Sequence, residues 1–205
     1  MTTPTNPGDS LSRRRKLLYI LMLGALTALG PFTVDLYLPA FPALEESLSV
    51  SEAAVQLTLT GTTIGFAVGQ LVVGPLSDKF GRRMPLILAT AVHIMASLGA
   101  ALSTDITTLG FFRVLMGVGA AGGGVVAMAM VRDLFSGFAM VRMFSRMALV
   151  NGLAPILAPV IGSQLLLFMP WPGIFFFLAA YGMCVLIAAV FVVRETLPRE
   201  LRGKS

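Results

Sequence analysis

Two ionisable side chains stand in stretches that otherwise suit lipid. Asp35 lies in Gly30-Pro31-Phe32-Thr33-Val34-Asp35-Leu36-Tyr37-Leu38-Pro39, and Arg113 follows Leu109-Gly110-Phe111-Phe112. Charge inside a membrane span is costly and is kept where it faces a cavity, a partner or an ion path. Low dielectric favours a neutral carboxyl, whereas a nearby guanidinium favours the carboxylate. Asp35, poised between those pulls, is a candidate to exchange a proton or to hold a cationic substrate. The alternative is a wet, structural Asp at the mouth of its span. For Arg113 the alternative is a side chain that snorkels to the headgroups. His93, the single histidine, stands among Val92, Ile94 and Met95 and reads as a packing residue rather than a proton relay. Cys184, also single, supplies neither disulfide nor metal cluster. No G-x-S-G occurs and His93 has no evident serine partner, so an intramembrane serine protease is excluded and no catalytic residue is assigned.

The elements that hold these residues follow from composition. Of the 205 residues 56% are hydrophobic and 12% charged, with a mean hydropathy of +0.86, so the chain's main solvent is lipid. Leu17–Val34, Ala53–Ser77 and Met84–Thr104 are uncharged and each approaches or exceeds the roughly 20 residues a membrane-spanning helix needs. Ile106–Phe112 and Val114–Val131 join through Arg113 into a fourth. Met147–Val193 would make one helix about 70 Å long, twice a bilayer core, so it folds back at Phe168-Met169-Pro170-Trp171-Pro172-Gly173. Six spans result, at about 17–40, 53–77, 84–104, 106–131, 147–168 and 173–193. They are flanked by a polar N-terminal tail, 1–16, and by 194–205, which reads as the start of a cytoplasmic linker. Counting residues places Asp35 roughly 7–8 Å and Arg113 roughly 9 Å below the same outer surface.

Charge sets the orientation. Arg13–Lys16 precede span 1; Lys79, Arg82 and Arg83 lie between spans 2 and 3; Arg132, Arg142 and Arg146 between spans 4 and 5; Arg194, Arg199, Arg202 and Lys204 after span 6. The opposite loops carry only Glu45, Glu46, Glu52 and Asp105. All fifteen basic residues but Arg113 are thus on one side, which the positive-inside rule makes cytoplasmic, with both termini inside. This one-sided distribution also explains the net charge of +5 without nucleic acid. Ser12-Arg13-Arg14-Arg15-Lys16 before an apolar run is similar to a secretory or twin-arginine signal. The run is too long for such a signal, lacks a cleavage site and precedes five more spans, so a retained first span is expected. Arg132–Arg146 alternates basic and apolar residues and fits either an amphipathic helix at the inner interface or a solvated loop.

Glycine and proline mark helix contacts. Gly61, Gly65 and Gly69 recur every fourth residue in span 2, and Gly117, Gly119, Gly122, Gly123 and Gly124 crowd span 4, giving smooth faces for close helix approach. A phosphate loop is excluded, since no Gly-Lys-Ser/Thr accompanies them. Pro155 and Pro159 fall four apart in span 5, and Pro31 and Pro39 bracket Asp35, so kinks are expected at both places.

Gly74-Pro75-Leu76-Ser77-Asp78-Lys79-Phe80-Gly81-Arg82-Arg83 packs four charges into ten residues between spans 2 and 3. It resembles the loop 2–3 signature of the major facilitator superfamily, G-x-L-x-D-[RK]-x-G-[RK]-[RK], at every defined position. Arg113 with Gly117 and Gly119 resembles the family's span 4 motif R-x-x-Q-G-x-G, with Met116 in place of Gln. Gly152, Pro155, Pro159 and Gly162 lie in a run similar to the antiporter motif G-P-x-x-G-G, with Ala158 and Ser163 replacing two glycines. Phe32–Pro42 resembles the Bcr/CflA branch of drug:proton antiporters.

The resemblance implies an all-α membrane protein: two inverted three-helix repeats, forming the N-terminal half of a twelve-helix transporter. It implies Asp35 and Arg113 as proton- and substrate-binding residues on the first helix of each repeat, lining a central cavity. Gly74, Asp78, Lys79, Gly81, Arg82 and Arg83 would form a conformational latch, in which Gly81 permits a tight turn, Gly74 a close helix approach, and Asp78 finds its family partner in the second half or else pairs locally. Gly117 and Gly119 would serve packing. The expected function is proton-coupled export of hydrophobic or cationic small molecules from the bacterial cytoplasmic membrane, driven by the proton gradient with no cofactor or metal. Its expected partners are the bilayer, the substrate, and either a C-terminal six-helix half or a second copy. A self-dimerising six-span transporter and a non-transporting membrane scaffold are the rival readings.

Overall fold

The computed structural model describes residues 12–193, 195–198, 200 and 202–203. The expectations placed on residues 1–11 and on Arg194, Arg199 and Lys204 lie outside these. The described chain is helical without strands: α1 (Arg13–Asp35), a 3-10 turn (Leu38–Ala40), α2 (Phe41–Leu48), α3 (Glu52–Phe80), α4 (Arg83–Ala101), α5 (Ile106–Leu134), α6 (Gly137–Leu166) and α7 (Pro172–Val192). Six helical segments among the described residues are long and apolar enough to cross a membrane, the first running from α1 into α2. The spans are therefore α1, α3, α4, α5, α6 and α7.

Local chemistry fixes the ends. Ser12 Oγ and Ser51 Oγ each accept a hydrogen bond from the backbone N–H three residues on, capping α1 and α3. Because Ser12 caps α1, Arg13–Lys16 form its first turn rather than part of a tail. Asp105 caps α5 twice over: Oδ1 accepts from Thr108 N at 2.8 Å and Oδ2 from Thr108 Oγ1 at 2.7 Å. Pro172 opens α7, where its missing N–H costs nothing. α1 passes through Pro31 and stops at Asp35, short of the expected 40, because Pro39 and Pro42 redirect the chain into the 3-10 turn and α2.

The expected loop or interface helix at 132–146 is neither. α5 reaches Leu134, only Phe135 and Ser136 intervene, and α6 then runs unbroken through both of its prolines. Met143 and Met147, four apart, are buried while Arg142 and Arg146 are exposed, so from Gly137 on this segment is the amphipathic start of a long helix.

Packing is nearly closed under one exchange. Spans 2 and 4 pack (α3 on α5), and so do 5 and 1 (α6 on α1); 3 packs on 4 and 6 on 1; 3 also meets 6, and 1 meets 4. Swapping spans 1–3 for 4–6 maps this set onto itself, the pattern two related three-helix units produce. The tightest contact is α3 on α5. Val55, Thr58, Thr62, Gly65, Gly69, Val73 and Ser77 make the buried face of α3. A Cβ on Gly65 would overlap the Val114 carbonyl, one on Gly117 the Thr62 carbonyl, and one on Gly69 would lie 2.6 Å from the Val118 carbonyl. Gly74 is different: a Cβ there would meet Val125 at an ordinary 3.7 Å, so the close approach expected at that residue belongs to Gly61, Gly65 and Gly69 instead.

Candidate functional site

Asp35, at the last residue of α1, opens onto a cavity of about 560 Å³ walled by α1, α3, α5 and α6. Thr63 and Gln70 reach it from α3 and Asn151 from α6; Phe66, Val125 and Met128 supply apolar wall. Asp35 is the one charged residue among those lining it, and its carboxylate has no hydrogen-bond or ion-pair partner among the described residues. Pro31 and Pro155 also line this space. Each lacks an N–H, which leaves the carbonyls of Thr27 and Asn151, four residues earlier and also in the wall, without their helical donor.

Arg113 does not line the cavity, contrary to the sequence expectation, and it does not snorkel. It is fully buried on the other side of α1. Its Nη1 donates to the Thr33 carbonyl at 2.6 Å, and its guanidinium carbon stands 4.2 Å from the Tyr37 ring centroid and 5.9 Å from that of Phe175. Thr33 O is among the last four carbonyls of α1, which have no intrahelical donor. A cation there also meets the negative end of the helix dipole. Arg113 thus acts as a buried cap of α1 lying against two aromatic faces, while its Nε and Nη2 are buried without a hydrogen-bond partner among the described residues. Asp35 and Arg113 form no ion pair; Arg113 bonds instead to Thr33, two residues before Asp35.

His93 belongs to the same cluster. It is fully buried, with Nε2 2.9 Å from Thr33 Oγ1. The hydroxyl of Tyr37, whose ring lies against Arg113, meets that of Thr58 at 2.9 Å. Sequence reasoning set His93 aside as packing and did not single out Thr33, Tyr37, Thr63 or Gln70. The signal was there for Gln70, an amide in the middle of an apolar span.

Where α3 passes into α4, charged side chains converge on Arg82, which is 7% exposed. Its Nε donates to Asp133 Oδ2 at 2.9 Å, its Nη2 reaches Asp133 Oδ1, and its Nη1 donates to Ser77 Oγ at 2.9 Å and to Asp78 Oδ1. Asp78 therefore pairs locally, with the arginine four residues on across the Gly81 turn. Burial works against the charge of Arg82, but the bonds from Asp133 and Asp78 outweigh it and hold the guanidinium more firmly protonated than a free arginine. Glu195 closes the other side: its carboxylate accepts from the backbone N–H of Arg82 at 2.8 Å and of Arg83 at 3.4 Å, and pairs with Arg202 at 3.6 Å. Thr196 donates to Asp133, and Gly203 N to the Asp78 carbonyl. Gly81 is at φ +94°, and a Cβ there would run into the Glu195 carboxylate, so only glycine fits. Arg83 instead donates to Val190 O at 3.0 Å, and Lys79 stays exposed over Phe80. Asp133 and Glu195 were missed in the sequence. Asp133, an acid at the negative end of α5, was the available hint that a cation lies near.

The other motif glycines divide. A Cβ on Gly119 would stand 2.6 Å from His93 N, and one on Gly162 would overlap the Leu36 carbonyl, whereas Gly152 has open space. Pro159 lies within α6 beside the buried Ala158.

A bundle of membrane-length helices around an acidic cavity, with a charged cluster where α3 meets α4, is the build of a multi-pass membrane protein. Residues 21–205 match the family model described as Major Facilitator Superfamily, and the chain belongs to that family. It is 40% identical over 194 residues to an uncharacterised MFS-type transporter, YdgK, of Bacillus subtilis, covering 94% of this chain and 48% of that protein. A bicyclomycin resistance protein homolog of Haemophilus influenzae is 38% identical, with 93% and 48% covered, and the multidrug resistance protein MdtL of Salmonella paratyphi B is 32% identical, with 91% and 47% covered. The chain spans about half the length of these relatives. Among solved structures, a D-xylose–proton symporter superposes with a TM-score of 0.77 at 16% identity, covering 91% of this chain and 50% of that one. The human organic anion transporter MFSD10 superposes with a TM-score of 0.71 at 23% identity, covering 95% and 51%. These two likenesses speak to fold alone.

Proposed function

We propose that the chain is one six-helix half of a bacterial cytoplasmic-membrane exporter that exchanges small molecules for protons by alternating access, with both termini in the cytoplasm. The observation that carries this is the unpartnered Asp35 carboxylate in the wall of a mainly apolar cavity. A lone carboxylate among Phe66, Met128, Val125, Thr63, Gln70 and Asn151 has two ways to lose its desolvation cost: take a proton, or pair with a cationic ligand. Mutual exclusion of those two states is what couples export to proton entry. The walls favour hydrophobic or cationic molecules, and the relatives named for multidrug and bicyclomycin resistance support an export role.

Arg113 holds the end of α1 in place behind Asp35, and the Arg82 cluster is the cytoplasmic latch that opens and closes as the halves rock. The second half, or a second copy, supplies the missing wall of the cavity. The test is drug efflux from cells expressing the chain with a second six-helix half, comparing wild type with Asp35→Asn. Asn keeps size and polarity but cannot ionise, so efflux should be abolished while the amount of membrane-inserted protein is unchanged. Efflux at the wild-type rate would contradict the reading.

A further inference from the structure

His93 takes no part in the proposed exchange, yet its surroundings are built for one proton arrangement. Thr33 Oγ1 lies 2.6 Å from the Leu29 carbonyl and 2.9 Å from His93 Nε2. A hydroxyl has one proton, and a carbonyl oxygen can only accept. Two oxygens at 2.6 Å need that proton between them, so Thr33 donates to Leu29 and must accept from the imidazole. His93 therefore carries its proton on Nε2, with Nδ1 a bare, buried acceptor that has no partner among the described residues. The ring has little freedom to do otherwise. Gly119 of α5 lies against its backbone, where a Cβ would stand 2.6 Å from His93 N. Gly182 of α7 faces Nδ1, where a Cβ would stand 3.3 Å away.

Thr33 is thus gripped twice, on its hydroxyl by His93 from α4 and on its carbonyl by Arg113 from α5. Asp35 follows two residues later, at the end of the same helical turn. We propose that His93 is a positioning residue for Asp35: its Nε2–H, donated to Thr33 Oγ1, holds the last turn of α1 and so sets how readily the Asp35 carboxylate takes up a proton. This rests on the reading of Asp35 as the proton-exchanging group. The titratable or charged groups around the turn are Arg113 of α5, His93 of α4, Tyr37 on the turn itself, and Tyr181 of α7, whose hydroxyl donates to Ala25 O. α3 and α6 present to Asp35 only the uncharged Thr63, Gln70 and Asn151 as polar side chains.

The test uses the chain in nanodiscs. Because it has a single histidine, 15N-histidine labelling reports on His93 alone. The expected spectrum is the neutral Nε2–H tautomer, unchanged between about pH 5 and 8. Asp35 is then titrated by the infrared absorption of its carboxyl, assigned by difference from Asp35→Asn. His93→Leu and Thr33→Val each remove the same bond, and both should move the midpoint in the same sense by about half to one pH unit, the size of one hydrogen bond's net effect. His93→Gln places an N–H near the Nε2 position and should restore the wild-type midpoint; His93→Asn, with its amide near Nδ1, should not. Thr33→Ser keeps the hydroxyl and serves as the folded control. An Nδ1–H tautomer, or a midpoint unmoved in both bond-breaking variants, overturns the proposal. If Asp35→Asn transports normally, the transport reading fails while this titration still stands. If efflux requires Asp35 but the midpoints coincide, only the positioning role fails.

Discussion

Asp35 and Arg113 are each visible in the sequence for the same reason: a charge in an apolar run is a local signal that needs no knowledge of neighbours. Their division of labour was not visible. Which face of a span a residue occupies depends on how the helix is rotated against its partners, and only the packed bundle shows Asp35 on the cavity and Arg113 behind α1 against Tyr37 and Phe175. Likewise the Arg82 cluster joins Asp133 and Glu195, 51 and 113 residues away along the chain, and no motif spacing reports that. At this scale Arg113→Ala leaves the Thr33 carbonyl without its donor and should cost about 1–3 kcal/mol, read as a lower thermal midpoint in nanodiscs. Arg113→Lys should recover part of that, since an ammonium can still donate but cannot lie flat on Tyr37. Asp133 side-chain exposure is 14% against 41% for Asp78, so Asp133→Asn should destabilise the Arg82 cluster more than Asp78→Asn. Hydrogen exchange at the Arg82 and Arg83 amides would measure the difference, and equal protection would contradict the ranking.

Among the elements, the glycine spacing in α3 foretold a tight contact but not its partner, and treated all glycines of a span as equal. Gly65 faces the Val114 carbonyl at van der Waals overlap for any side chain, while Gly124 has nothing within 4 Å. Gly65→Ala should therefore cost roughly 1–3 kcal/mol through overpacking, whereas Gly124→Ala should be neutral or gain up to about 1 kcal/mol of helix propensity. Thermal unfolding of the two variants side by side decides it. The α5 cap gives a pH dependence with a definite sign. The Thr108 hydroxyl and N–H hold the Asp105 carboxyl below its ordinary value of 3.8. Its contribution is then fully present above that value and is lost as pH falls through the lower, folded value. Lowering pH from about 5 toward about 3 should narrow the stability gap between wild type and Asp105→Ala, because the protonated cap accepts less well. The stretch 132–146 misled the reading because its arginines suggested solvent; they sit on the outer face of a helix whose other face buries Met143 and Met147.

On the scale of the whole molecule, hydropathy gave the number of spans because bilayer thickness sets a length that any sequence must meet. The exchange symmetry of the packing was legible only through the family resemblance, since the two three-span units share no repeated motif in their residues. The Asp35 cavity is walled by α1, α3, α5 and α6, and the proposed function requires this one carboxylate to trade a proton for a ligand. The direct measurement is proton release on ligand addition: the chain assembled with a second six-helix half, in weakly buffered detergent solution, is mixed with tetraphenylphosphonium while pH is recorded. The account expects about one proton released per ligand bound by wild type and none by Asp35→Asn. Equal release from both proteins, or binding by wild type with no proton released at any pH between about 5 and 8, would contradict it.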